Sequence, residues 1–289
     1  MTLSPSELIL NPDGSIYHLN LLPEDIADHI ITVGDPDRVA EVSSFFDTVE
    51  VKKCKREFHT HTGTLNGKRM TVMSTGIGTD NIDIVLNELD ALVNIDFESG
   101  MVNSGKKSLD IVRIGTSGAI QADILVDTFL MSEYAIGLDG LLHFYDSSSV
   151  QKPKMAQAFG IHCGWSEQKA LPYAVTYDDT LAKRLLSNRI RLGVTVTSTG
   201  FYGPQGRRLR LDTDGDNFIE KLGSFQYEGR QITNLEMETS GIYGLSKLLG
   251  HRAVSMNCIL ANRVTGEFSK HPKQATQALI RYCLETICG

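Results

Sequence analysis

Apolar positions along this chain recur in two periods. Short runs rich in Ile and Val alternate with stretches where apolar residues return every three or four positions, which predicts alternating strands and helices. Segments 29–34 (HIITVG), 69–78 (RMTVMSTGIG), 109–118 (LDIVRIGTSG), 192–200 (LGVTVTSTG) and 253–262 (AVSMNCILAN) read as buried strands. Segment 36–46 (PDRVAEVSSFF) reads as a helix with proline in its first turn. Ile82, Val85, Leu86, Leu89, Leu92 and Val93 mark one face of the next helix. SGIYGLSKLLG reads as a helix stopped at Gly250, and Ala275, Ala278, Leu279, Tyr282 and Cys283 as the buried face of the last. The pattern predicts one α/β domain over 1–289, a central mixed sheet with helices on both faces. Residues 1–16 read as an N-terminal extension, and 96–108 and 145–155 as surface loops or short hairpins.

The first three strands end in glycine and then small or polar residues. In open α/β sheets, ligands bind beyond such carboxyl ends. One of these strands carries a charge inside its apolar run, Arg113 in DIVRIGTSGAI. A guanidinium buried there costs several kcal/mol of desolvation, roughly, unless something anionic meets it. That anion can be a ligand or a buried carboxylate, and the residues alone leave both open. VGDPDR (33–38) sets Gly34 and Arg38 at a strand-to-helix turn. This suits an anion at a helix N-terminus, or an ordinary turn capped by Asp35. STGIGTDN is a glycine turn without the spacing of a dinucleotide fingerprint. FYGPQGRR brings Phe201, Gln205, Arg207 and Arg208 into one loop. Such a loop can read a planar heterocycle, or be a solvated basic loop. In NLEMETSG, Glu236 and Glu238 flank Met237. They can accept from sugar hydroxyls, act as an acid–base pair, or be the acids that a helix N-terminus favours.

Composition narrows the classes. The net charge of −7 argues against nucleic acid as the main partner, so any anion must meet a local constellation. The five cysteines form no Cys-x-x-Cys pair and the histidines are dispersed, so neither a disulfide framework nor a metal site is expected. The N-terminus lacks the pattern of a signal peptide and no apolar stretch reaches membrane-spanning length, so the expected setting is cytoplasmic, without a membrane.

The ordered set GDPDR, REF, STGIG, RIGTSGAIQ, FYGPQGR, EMET and NR resembles the nucleoside phosphorylase family of the uridine phosphorylase type, over about residues 17 to 285. The resemblance implies a partly barrel-like sheet of the phosphorylase/hydrolase kind. It also implies phosphorolysis of uridine or deoxyuridine to uracil and a pentose 1-phosphate, with inorganic phosphate as co-substrate and no cofactor. By resemblance, Gly34, Arg38, Arg113 and Thr116 form a phosphate cradle, joined by Arg56 of REF from a neighbouring subunit. Met237 and Glu238 match ribose-holding residues, with Thr116 beside them and His18 reaching in from the neighbour. Phe201, Gln205 and Arg207 match an aromatic wall and a base-reading pair. Arg263 stands where purine enzymes carry an aspartate, which supports a pyrimidine. Arg113, Gln205, Arg207 and Glu238 are the residues expected to carry the chemistry. The family loop runs proline then glycine before the glutamine; here Gly203–Pro204 reverses that order. The resemblance further implies a homo-oligomer with a dimer as the smallest active unit and three dimers in a hexamer. The competing expectations are a nucleosidase, a phosphorylase of another nucleoside (a purine nucleoside or thymidine), and a non-catalytic nucleoside sensor on the same fold.

Overall fold

The computed structural model describes residues 3–213 and 217–289. From the N-terminus the elements are β1 (His29–Val33), α1 (Pro36–Ser43), β2 (Thr48–Lys55), β3 (Phe58–Leu65), β4 (Lys68–Ser74) and α2 (Thr79–Asn94). There follow β5 (Ile95–Asp96), β6 (Met101–Val102), β7 (Asp110–Ala119), β8 (Phe129–Gly137), α3 (Pro153–Cys163), β9 (Tyr173–Thr176) and α4 (Asp179–Leu185). The last are β10 (Ile190–Thr197), α5 (Phe218–Ser224), β11 (Gln226–Tyr227), β12 (Arg230–Glu236), α6 (Thr239–Leu249), β13 (Arg252–Asn262) and α7 (Pro272–Cys288).

One large mixed sheet organises the chain, and β7 is its pivot. The first half of β7 pairs in parallel with β1, from His29 opposite Asp110 to Thr32 opposite Arg113. Its last residues leave β1 and pair antiparallel with β12, Leu235 opposite Gly118. The other edge of β7 carries β13 along its full length. Since β13 also meets β8, β8 meets β10 and β10 meets β12, the second half of β7 closes a barrel of β7, β13, β8, β10 and β12. Beyond β1 the sheet runs out through β4 and β3 to an edge at β2. The point where β7 passes from one partner to the other lies between Arg113 and Gly118. This is a topological switch point, where the open crevice of an α/β sheet is expected.

Apolar burial follows the two faces of the sheet. The α2 stripe (Ile82, Val85, Leu86, Leu89, Leu92) packs with Ile242 and Leu245 of α6 over Ile30 and Ile111. Val93 is only half-buried. On the other face, α1, α4 and α7 cover Ile31, Val112 and Val254. In α7, Thr276, Ile280, Leu284 and Ile287 join the expected Leu279, Tyr282 and Cys283 in facing inward, and Ala275 is half-buried, but Ala278 is exposed. Its small side chain gave no signal of direction. Gly250 ends α6 at φ 82, as the sequence predicts.

The three irregular pieces are partly ordered, and the first holds a short hairpin, as expected. Segment 96–108 begins within the β5–β6 hairpin. Segment 145–155 is not all loop, since Pro153 already opens α3 in the position where proline costs no helix bond. In the N-terminal extension, Ser15 and Ile16 are already buried.

At the end of the sheet away from the switch point, Asp110 gathers His29, Arg184 and Arg252. Burial opposes its ionisation, but hydrogen bonds from His29 and Arg252 prevail and hold the carboxyl down at about 2. A carboxyl lowered on folding stabilises the fold above its unfolded value of 3.8, and that contribution drains away as pH falls toward 2. Asp110→Asn should therefore lower the melting temperature at pH 7 and narrow its deficit against wild type between pH 4 and pH 2. Thermal melts across that range read both.

Candidate active site

A cavity of about 930 Å³ opens at the switch point. Gly34, Arg38, Arg113, Thr116, Phe201, Gln205, Arg207, Met237, Glu238 and Arg263, all expected from the sequence, line it together with Glu236. They come from the ends of β1, β7, β12 and β13, the first turn of α1 and the loop after β10.

Arg113 is the centre of one group. Its side chain is buried and folds back over its own strand above Gly115. A Cβ on Gly115 would lie 1.9 Å from Nη1 of Arg113, so only glycine leaves the guanidinium room. Nη2 donates to Oε2 of Glu238 at 2.6 Å and stands 3.2 Å from Oε2 of Glu236. Nη1 donates to Oδ1 of Asn257 at 3.1 Å. Of the two readings of this buried arginine, the carboxylate partner is thus present within the chain, and it lines the cavity. Burial works against the charge of Arg113, and the two carboxylates more than restore it. Glu238 shows the reverse. Burial raises its carboxyl above the ordinary range against the pull of Arg113, and the charge of Glu236 adds to the rise.

Glu236 and Glu238 are therefore not equivalent. Glu236 ends β12 and accepts from the Glu238 and Thr239 backbone N–H groups at 2.9 Å, and from the Thr197 hydroxyl at 2.6 Å. It caps α6, as acids at a helix N-terminus do. Glu238 has one oxygen on Arg113 and the other on the Gly78 N–H, 2.9 Å away. The glycine turn of STGIG, with Gly76 at φ 69 and Gly78 at φ 99, thereby belongs to the site.

Arg38 lies half-buried in the cavity wall, its pKa lowered by burial against the pull of Asp35, and further by Arg113. The helix it stands on is capped from within, because Asp35 accepts from the Asp37 N–H at 3.0 Å. The anion reading of VGDPDR rests on the Arg38 side chain, not on a vacant helix end.

Arg207 and Arg263 form a second group. The Arg207 guanidinium stacks on Phe201, 3.7 Å from the ring centroid, and donates to the Phe201 carbonyl at 2.7 Å. It also donates to Oε1 of Gln205. Arg263 donates to the Gln205 backbone carbonyl at 3.1 Å. Burial and then the nearby Arg263 bring Arg207 down to about 10, so it stays charged at neutral pH. Gln205 is buried in a single 3-10 turn, Gly203–Gln205, with Gly206 left-handed at φ 65. With Oε1 held by Arg207, its amide N–H₂ is the end left to donate.

His18 and Arg56 do not line the cavity of the single chain. His18 Nδ1 contacts Glu88 at 2.6 Å. Arg56 is exposed at φ 55 in the turn between β2 and β3. Its neighbour Glu57 does reach the cavity, as do Ile77, Asn81 and Phe268. Sequence reasoning missed these four: Glu57 and Ile77 sit between elements, Asn81 in the first turn of α2 and Phe268 beyond β13, and no periodic signal marks them. It also missed Asn257, a polar residue inside an apolar strand and so marked by the same signal as Arg113. Among the described residues, no cluster of His, Cys, Asp or Glu could hold a metal ion.

The chain has known relatives. The family model of the phosphorylase superfamily matches residues 28–287, and the chain belongs to that superfamily. It is 31% identical over 258 residues to a uridine phosphorylase of Thermococcus kodakarensis, covering 89% of this chain and 81% of the relative. A DeoD-type purine nucleoside phosphorylase of Bacillus velezensis is 25% identical, over 93% of this chain and 98% of that one. The crystal structure of a Trypanosoma brucei nucleoside phosphorylase with uridine phosphorylase activity superposes with a TM-score of 0.84. It is 29% identical and covers 96% of this chain and 98% of its own.

The glycines give a paired test of the Arg113 cradle. Gly115→Ala must displace the guanidinium and should cost about 1–3 kcal/mol. Gly118→Ala, whose Cβ would meet nothing closer than 3.7 Å, should stay within about 0.5 kcal/mol of wild type. Denaturant unfolding of both variants reads the difference.

Proposed function

We propose that this protein is a pentosyltransferase that cleaves uridine, and deoxyuridine, with inorganic phosphate. The observation that carries the reading is the division of one cavity into two arginine groups. Arg38 acts electrostatically on Arg113, and Arg263 on Arg207. A Cβ at Gly115 would meet Arg113, and one at Gly118 would come within 4.0 Å of both Arg207 and Arg263. The two glycines are three residues apart on β7, about 10 Å of strand. A nucleoside flanked by a phosphate at one end and bounded by its base at the other fits that spacing. The uridine phosphorylase relatives support the same substrate.

In this reading Arg38, Arg113 and Thr116, with the Gly34 backbone, hold phosphate below the anomeric carbon. Guanidinium forks suit phosphate oxygens. Met237 and Glu238 hold the ribose. A phosphate oxygen forms the new bond to the anomeric carbon as the bond to the base nitrogen breaks, and the electron pair leaves with the base. Holding the two reactants in line can supply roughly 7–11 kcal/mol at best. Gln205, through its amide N–H₂, and Arg207 donate to the departing uracil, whose negative charge develops late, as an oxyanion hole does. The base then takes a proton from solvent. No metal and no organic cofactor enters these steps.

The arginine groups favour phosphorolysis over hydrolysis by a nucleosidase, which needs no anion cradle, and over a sensor, which needs no cradle beside the sugar. Arg263 in the base wall favours a pyrimidine over a purine. We further place His18 and Arg56 in the site of a neighbouring subunit, in a dimer that assembles into hexamers, working in the cytoplasm. Among the described residues no helix is long and apolar enough to cross a membrane.

Base release from uridine, deoxyuridine, thymidine and inosine, with and without phosphate, tests the activity. Uracil should appear only with phosphate; faster turnover of inosine, or equal release without phosphate, would overturn the reading. The shared site is tested by mixing Arg56→Ala with Arg38→Ala subunits, each nearly inactive alone. A two-fold dimer then has one site with both lesions and one with neither. About half the wild-type activity per heterodimer should return; none, with exchange shown by mass, assigns Arg56 to no partner's site.

A further inference from the structure

The barrel interior carries a ring of buried polar side chains, closed only through the β7 backbone between Arg113 and Ser117, which both line the cavity. Arg113 of β7 donates to Asn257 of β13. Asn257 Nδ2 donates to the Ser132 hydroxyl of β8 at 3.3 Å, and Ser132 bonds the Thr195 hydroxyl of β10. Thr195 donates to Oδ1 of Asn234 on β12 at 2.8 Å, and Asn234 Nδ2 donates to Ser117, back on β7, at 2.9 Å. Each of the five barrel strands supplies a member, and every member is buried. A satisfied polar network of this kind fixes one arrangement of its side chains.

From this ring we infer that Asn257 is a positioning residue for phosphate binding, acting through the rotation of the Arg113 guanidinium. The inference rests on the phosphorolytic reading of the site. Glu238 is held by one tooth of the fork: Nη2 of Arg113 on one oxygen, the Gly78 N–H on the other. Nη1 is kept from joining that contact because Asn257 Oδ1 holds it at 3.1 Å, while Ser255, at 3.5 Å, is a weaker hold. Without Oδ1, the guanidinium is free to roll and offer both terminal nitrogens to the carboxylates. Bidentate arginine–carboxylate pairing is the stronger geometry. An arginine locked that way yields less readily to an incoming phosphate. Asn257 is itself pinned by Ser132 and Ser255, so its carbamoyl oxygen cannot turn away. Asn257 is absent from the cavity lining, so its effect passes through Arg113.

The test uses three variants of the full chain. Asn257→Leu removes the acceptor at similar volume. Asn257→Asp keeps an acceptor for Nη1, and the Ser255 hydroxyl can donate to its second oxygen. Thr195→Val breaks the ring on its far side and leaves the Arg113–Asn257 bond in place. Asn257→Leu should raise the KM for phosphate about tenfold with the KM for uridine within about twofold. Asn257→Asp should recover most of that loss, and Thr195→Val should keep the wild-type KM for phosphate. Where Asn257→Leu fails to fold, Asn257→Ala is read in the same way. An unchanged phosphate KM without the acceptor overturns the inference, as does an equal rise in Thr195→Val, which would mark general loosening of the barrel. Thermal upshift by inorganic phosphate separates the two readings. A wild-type protein that is stabilised by phosphate but cleaves no nucleoside defeats the proposed activity alone. Equal upshift in wild type and Asn257→Leu defeats the role of Asn257 alone.

Discussion

The rest of the site depends on one requirement: the charge of Arg113, placed inside a sheet, has to be met. Glu236 and Glu238 meet it, and each is fixed by its other duty. Glu236 caps α6 and is held by Thr197, so the start of that helix and the end of β10 are tied to the arginine. Glu238 ties it to the glycine turn before α2. Gly115 gives up its side chain so that the guanidinium can lie across the strand. Removing one partner from such a cluster leaves an unpaired buried charge, which typically costs about 3–5 kcal/mol. The same cluster is thus both a structural keystone and a wall of the cavity.

This arrangement bears on how the cavity treats an anion. The charge of Arg113 is already balanced within the protein, whereas Arg38 faces the cavity with its pKa lowered by burial. Arg38 is the less compensated cation, and under the proposed function Arg113 contributes by exchange of partners. Exchange preserves hydrogen-bond count between side chains that are both buried, where losing a bond is expensive. Under the proposed function it also links the sugar and the anion, because the oxygen of Glu238 that Arg113 gives up is then free to accept a ribose hydroxyl.

Much of this was legible in the sequence, for identifiable reasons. Strands and helices with strong periodicity fell where the pattern put them, because burial on one face enforces that period. Arg113 was legible because a charge in an apolar run demands a partner; that two glutamates more than a hundred residues later supply it was not, since pairing across strands leaves no local mark. Asp35 was legible as a cap. Ala278 misled because alanine fits either side of a helix. His18 and Arg56 were legible only through the family resemblance, and the single chain leaves them outside the cavity. Barrel closure followed from the resemblance as well, for no residue pattern announces that β7 changes partners midway.

The position of β13 has a consequence for how the chain is made. It lies between β7 and β8, two strands that precede it by more than a hundred residues, and it pairs with both. During synthesis, β7 and β8 emerge together while the strand that fits between them is still to come. At about 5–20 residues per second, the gap lasts from several seconds to some tens of seconds. Through that interval two apolar strands present bare backbone edges, the feature most open to pairing with a neighbouring chain. The nascent protein is therefore at its most vulnerable to aggregation just before its last strand arrives, and the cavity comes into being only at the end of translation.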